Sequence, residues 1–150
     1  MAMSKEEIDD FLSVPRMARI ATVRNGKPHL VPVWYYYDGT NVLITTPKEA
    51  RRIKNLKDNP YVSIAIDIVN GKPGDISYLD GKAVIIEGEA EIKDDTNGSF
   101  AKKMYERYVG KDALNNSMVQ FSIGMPRDIL TIKPVKVLSC ALSKISEMRS

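Results

Sequence analysis

The dipeptide Asn25-Gly26 stands between two strand-like runs, ARIATV (18–23) and HLVPVWYYYD (29–38). Runs rich in β-branched and aromatic residues read as strands, and Asn-Gly supplies the two positive-φ residues that a two-residue hairpin turn needs. The chain is therefore committed to antiparallel pairing close to its start. The return run turns at Asp38-Gly39 into NVLITT (41–46), which makes three antiparallel strands in succession. YVSIAID (61–67) reads as a fourth, with Val62, Ile64 and Ile66 alternating. After a polar excursion over 68–81 comes a long strand, KAVIIEGEAEI (82–92). The end of the sequence is strand-like again in VQFSI (119–123), DILTI (128–132) and KVLSCAL (136–142).

Helical signals are short. Ser4 and Glu7 have capping-box spacing, and Ile8, Phe11 and Leu12 follow at helical intervals until Pro15 ends the segment. Thr46 as N-cap and Pro47 as first helical residue open a second helix that Asp58-Asn59-Pro60 stops. On it Ala50, Ile53 and Leu56 face the core, while Lys48, Arg51, Arg52 and Asn55 lie on the other side. A third helix over 99–108 carries Phe100, Met104 and Tyr108 on one stripe. With no internal repeat or linker, residues 1–150 read as one mainly β domain, a small β-barrel of six to eight antiparallel strands with a few short helices.

Several function classes drop out. No apolar run approaches the ~20 residues of a membrane span. MAMSKEEIDD at the start is too polar for a signal peptide, and the single Cys140 leaves no intramolecular disulfide, so a cytoplasmic protein without membrane association is expected. His29 is the only histidine, which excludes a two-histidine metal site. Cys140 lies in an apolar run and is expected to be a small buried hydrophobe. Nucleophile-elbow, phosphate-loop and dinucleotide-fold glycine motifs are missing. Glu87, Glu89 and Glu91 alternate along one strand face and read as solvated. No catalytic side chain is assigned.

What stands out is charge. The chain holds 22 Lys+Arg against 19 Asp+Glu, and TTPKEARRIKNLKDNP (45–60) alone accounts for the surplus, with five bases and two acids. Outside it the charges balance. A helix N-terminus with Arg51 and Arg52 in its first turn, and Thr45 and Thr46 ending the strand before it, suits a phosphomonoester. A strand-tracking nucleic-acid groove needs charge spread along it, so nucleic acid is not the expected partner. LVPVWYYYD (30–38) is the second unusual stretch. Pro32 cannot donate to a ladder and belongs at an edge or bulge, where an aromatic wall and spare backbone groups suit a flat heteroaromatic ring.

This order of parts resembles the pyridoxamine-phosphate-oxidase-like family, the FMN-binding split barrels. The likeness rests on strand–NG–strand with PVW, a strand ending in Thr-Thr, a basic helix start, NL..NP.VS and IIEGEAEI, from about residue 15 to residue 93. It implies a six-stranded antiparallel Greek-key split barrel that forms a homodimer, with cofactor sites at the subunit interface. It further implies that the strand matching Val31, Pro32, Val33, Trp34 and Tyr35 runs along a flavin ring. Thr45 and Thr46 match residues near the ribityl phosphate, Arg51 and Arg52 a pair that grips the phosphate, and Asn55 the end of that signature. Lys82 falls near positions facing the ring.

Three departures stand against a true pyridoxine-phosphate oxidase. Ala50 stands where many members carry a Ser or Thr phosphate ligand, Ala83 replaces a Gln, and PVKVLSCAL lacks the Trp and Arg/His substrate motif. The expectation is an FMN-binding oxidoreductase acting on a small-molecule substrate of unknown identity. The alternative cofactor is coenzyme F420, whose acidic tail Lys27, Lys48 and Lys54 would favour. A further alternative is a non-catalytic flavin or haem carrier.

Overall fold

The computed structural model describes residues 2–142. Its strands are β1 (Met17–Arg24), β2 (Lys27–Trp34), β3 (Tyr36–Tyr37), β4 (Val42–Pro47), β5 (Tyr61–Val69), β6 (Gly81–Asp94) and β7 (Arg127–Ala141). They form one antiparallel sheet in the order β2-β1-β5-β6-β7-β4-β3. The two edges of that sheet, β2 and β3, are separated in sequence by Tyr35 alone. One residue spans at most about 3.6 Å, so the edges must meet and the sheet must curl onto itself. No ladder joins β2 to β3 or β4 across the meeting line, and that gap is the split of the barrel.

The expected count of six strands becomes seven for the same reason. The run read as one strand over 29–38 breaks at Tyr35, where the chain passes from one sheet edge to the other. Alternation decides the core: Val62, Ile64 and Ile66 of β5 meet Ile20, Val84, Ile86, Leu130 and Ile132 inside the barrel, all buried. The opposite faces stay open, and Glu87, Glu89 and Glu91 are exposed as expected. Cys140 is exposed too, which corrects its reading as buried. It pairs with Ala83 on the outer face of the sheet.

Local signals behave as their chemistry requires. Asn25 (φ 53°) and Gly26 (φ 73°) both take the left-handed conformation of the hairpin turn. In α1 (Lys5–Ser13) the Ser4 hydroxyl accepts from the Glu7 N–H at 3.1 Å, and the Glu7 carboxylate accepts from the Ser4 N–H at 3.2 Å. Pro32 sits on the edge strand β2 opposite Arg19, where its missing donor breaks no interior ladder.

Three expectations are corrected. Thr46 and Pro47 do not start a helix: Thr46 pairs with Asp128 and Pro47 with Arg127 in the β4–β7 ladder, so α2 begins only at Arg51, with Ala50 as N-cap. Residues 119–123 are not a strand but part of α4 (Ser117–Gly124), because the Asn116 side chain accepts from the N–H groups of Met118 and Val119 and nucleates a helix. The two final strands are one, β7. Pro134, between the two runs, is accommodated by a bulge where Glu87 pairs with Lys136 and Gly88 with Pro134. The segment between β6 and β7 also carries α3 (Ser99–Val109), which packs over the outer side of β4. No helix among the described residues is long and apolar enough to cross a membrane.

Candidate functional site at the barrel split

A cavity of about 230 Å³ opens at the split. Met17, Pro32, Val33 and Trp34 line one side, from β1 and β2; Thr45 and Arg127 line the other, from β4 and β7. Arg52 of α2 (Arg51–Asp58) and Tyr105 of α3 complete the wall. Five residues anticipated as a cofactor site, Pro32, Val33, Trp34, Thr45 and Arg52, are thus brought together from three elements.

The aromatic wall is held by α3. Trp34 stacks on Tyr108 with ring centroids 4.8 Å apart and planes 6° from parallel, and Tyr105 meets it edge-on at 5.0 Å. The Tyr108 hydroxyl accepts from the Tyr35 N–H at 3.1 Å and lies within donating distance of the Arg16 and Tyr35 carbonyls. This ties α3 to the end of β2 by main-chain bonds as well as by ring contact.

The electrostatics are unbalanced. Arg52 has a buried Nε without a hydrogen-bond partner among the described residues. Burial, and then the charge of nearby Arg127, hold the Arg52 guanidinium below its usual range. Arg127 is only 6% exposed. Its Nε donates to Thr45 Oγ1 at 3.0 Å and its Nη1 to the Ser122 carbonyl at 2.9 Å. Burial lowers its pKa, partly offset by Tyr105 and Asp95. Among the described residues neither arginine forms an ion pair with a carboxylate, whereas the nearby Lys48 is paired with both Asp94 and Asp128. One buried and one half-buried cation facing a cavity, without an ion-paired carboxylate among the described residues, have the chemistry to receive an anion.

The other anticipated residues lie elsewhere. Arg51 is exposed on α2 and outside the cavity, so the adjacent arginines diverge. Asn55, expected on the basic face, is 2% exposed and donates to Thr22 Oγ1 at 3.0 Å, inside the barrel end. Val31 is half-buried against the core. Tyr35 is fully buried, with both its main-chain groups within reach of the Tyr108 hydroxyl. Thr46 is fully buried on the opposite face of β4 from Thr45, its hydroxyl without a partner among the described residues. Lys82 lines a separate cleft with Glu7, Asp10 and Arg16. Sequence reasoning missed Arg127, Tyr105 and Met17. Arg127 meets Thr45 across 82 residues of chain, and only the β4–β7 pairing brings them together.

A sequence profile described as pyridoxamine 5'-phosphate oxidase matches residues 4–141. General stress protein 26 of Bacillus subtilis (strain 168) is 30% identical over 127 residues, covering 83% of this chain and 85% of that protein. Among solved structures, the conserved hypothetical protein Rv2991 of Mycobacterium tuberculosis superposes with a TM-score of 0.75 at 27% identity, covering 96% of this chain and 88% of that one. A structure named F420 reductase superposes with a TM-score of 0.66 at 24% identity, covering 86% and 94%.

Proposed function

Because the chain belongs to the pyridoxamine 5'-phosphate oxidase-like family, we propose that the cavity at its split holds flavin mononucleotide and that the protein is an oxidoreductase for a small-molecule substrate. The observation that carries this reading is the unpartnered buried guanidinium nitrogen of Arg52, beside Arg127, in a cavity walled by Pro32, Val33 and Trp34. The fit to the cofactor rests on its donors: charge-assisted hydrogen bonds suit a phosphate, and an aromatic and edge-strand wall suits a ring. Bound there, a flavin would supply the redox chemistry, so no catalytic side chain need be assigned to the chain itself.

The chain's residues divide the remaining work. Arg52 and Arg127 neutralise the anionic end, and Trp34, braced by Tyr105 and Tyr108, excludes water from one side. At about 230 Å³ the cavity is below the roughly 300 Å³ lower bound of typical ligand sites. A homodimer supplies the missing wall in this reading. Its support is the outer face of the sheet, where exposed Ile85 and Leu138 pair directly, flanked by Ala65, Ala83 and Cys140.

Coenzyme F420 is the second reading, favoured by the likeness to the F420 reductase fold. Against it, Lys48 is engaged by Asp94 and Asp128 and is not free for an acidic tail. The test is direct. Purified protein should show a flavin absorption spectrum or take up FMN on titration, and Arg52→Gln should weaken that uptake at least about 10-fold, the loss of one charge-assisted contact. Stoichiometric F420 uptake with no FMN binding overturns the FMN assignment.

A further inference from the structure

We propose that Arg127, rather than the sequence-adjacent Arg51, is the second arm of the anion clamp, and that the Arg52–Arg127 pair selects a phosphomonoester dianion over a monoanionic diester. This deepens the reading above and rests on it. Arg127 is tied at Nε by Thr45 Oγ1 (3.0 Å) and at Nη1 by the Ser122 carbonyl (2.9 Å) and Ser122 Oγ (3.3 Å). Ser122 Oγ in turn accepts from the Tyr105 hydroxyl at 2.6 Å. Two of the three guanidinium nitrogens are thereby fixed, and Nη2 carries no protein hydrogen bond among the described residues. The plane of the group is set before any ligand arrives, so little side-chain entropy remains to be lost on binding.

Charge comes next. Arg52 and Arg127 repel each other, and burial adds to the penalty on both. The carboxylate that acts on Arg127 is Asp95, through space; both of its oxygens accept N–H groups of α3, from Phe100 and Ala101, each at 2.9 Å. It caps a helix and does not ion-pair with the arginine. The unmet charge of the clamp therefore exceeds what one negative charge balances. A phosphomonoester carries about −1.5 to −2 near neutral pH, whereas a diester, such as the one inside coenzyme F420, carries one negative charge. Arg127 also takes over where Ala50 offers no hydroxyl: the cation comes from β7, across the barrel, rather than from the helix start.

The experiment compares FMN with riboflavin, which has the same ring without the phosphate, by fluorescence titration of the flavin-stripped full chain. The readout is the ratio of the riboflavin Kd to the FMN Kd. Arg127→Gln should lower that ratio by about 10-fold or more. Arg127→Lys should recover part of the loss, and Arg51→Gln should leave the ratio within about 2-fold. A ratio unchanged in Arg127→Gln, or one that falls equally in Arg51→Gln, overturns the clamp while the flavin reading survives. Wild-type protein that binds neither ligand overturns both. Should Arg127→Gln fail to fold, the wild type still decides. The second phosphate ionisation lies near pH 6, so the ratio should fall between about pH 7 and pH 5. The charged and titratable groups lining the cavity are Arg52, Arg127 and Tyr105, with Asp95 acting on Arg127 from outside it, and the riboflavin control carries any pH effect on ring binding. A ratio flat across that range overturns dianion selection.

Discussion

Asn55 and Thr22 offer a double-mutant cycle that separates a structural role from a binding one. Both side chains are almost fully buried, at 2% and 1% exposure, and Asn55 Nδ2 donates to Thr22 Oγ1 at 3.0 Å. Their contact pins α2 to β1, and α2 carries Arg52 into the cavity. Removing one partner leaves the other buried and unsatisfied, which costs about 1–3 kcal/mol; about 2 kcal/mol is expected for Asn55→Ala and for Thr22→Val alike. At about 2–4 °C per kcal/mol for a chain of this size, each single variant should lower Tm by about 4–8 °C. The double variant leaves no orphan. It should cost about 1–2 kcal/mol less than the sum of the singles. Urea unfolding followed by circular dichroism measures all four proteins, with an unchanged denaturant slope as the check that only stability has moved. The FMN Kd of each folded variant should stay within about 2-fold of wild type, because Asn55 faces β1 and not the cavity. Additivity within about 0.3 kcal/mol would refute the pair as a structural unit, and lost flavin binding at retained stability would return Asn55 to the ligand site.

Two further outcomes follow from burial and backbone geometry. Burial pushes the Tyr35 hydroxyl up to about 12 from 10.0, so its contribution is complete below pH 10 and is lost as pH rises through about 12. Two pH units correspond to about 3 kcal/mol. Unfolding measured on either side of that window should show this loss in the wild type and not in Tyr35→Phe, which instead gives up about 1 kcal/mol at neutral pH because the Val14 carbonyl loses its donor; an equal alkaline loss in both proteins would exclude Tyr35 as the source. A Cβ on Gly88 would lie 2.4 Å from the Lys133 carbonyl oxygen, at the bulge between β6 and β7. Backbone cannot yield as a side chain does, so Gly88→Ala should cost about 3 kcal/mol or more, read as a fall in Tm, and a thermally neutral variant would contradict the bulge geometry.

The parts of this protein that were legible in its sequence are those governed by neighbours along the chain. Asn25-Gly26 makes its turn because two adjacent residues accept positive φ, and Ser4 and Glu7 close their box because three residues bring them within reach. The alternation of Val62, Ile64 and Ile66 names the core face of β5 without reference to any partner. Pro32 marked an edge because a missing donor is a local fact. The charge surplus of residues 45–60 likewise pointed to the end of the barrel where Arg52 faces the cavity.

Other features were decided only by strands far apart in sequence. The β4–β7 ladder outcompeted Thr46 and Pro47 as a helix start, and a bulge opposite Gly88 let one strand run through Pro134. Asn55 looked basic-sided on a helical wheel, yet Thr22, 33 residues earlier, drew it inside. Arg127 carries no local mark of a binding residue. Thr45 meets it only through the β4–β7 ladder, and a short stretch of chain records its own turns and faces but not which distant strand will lie beside it.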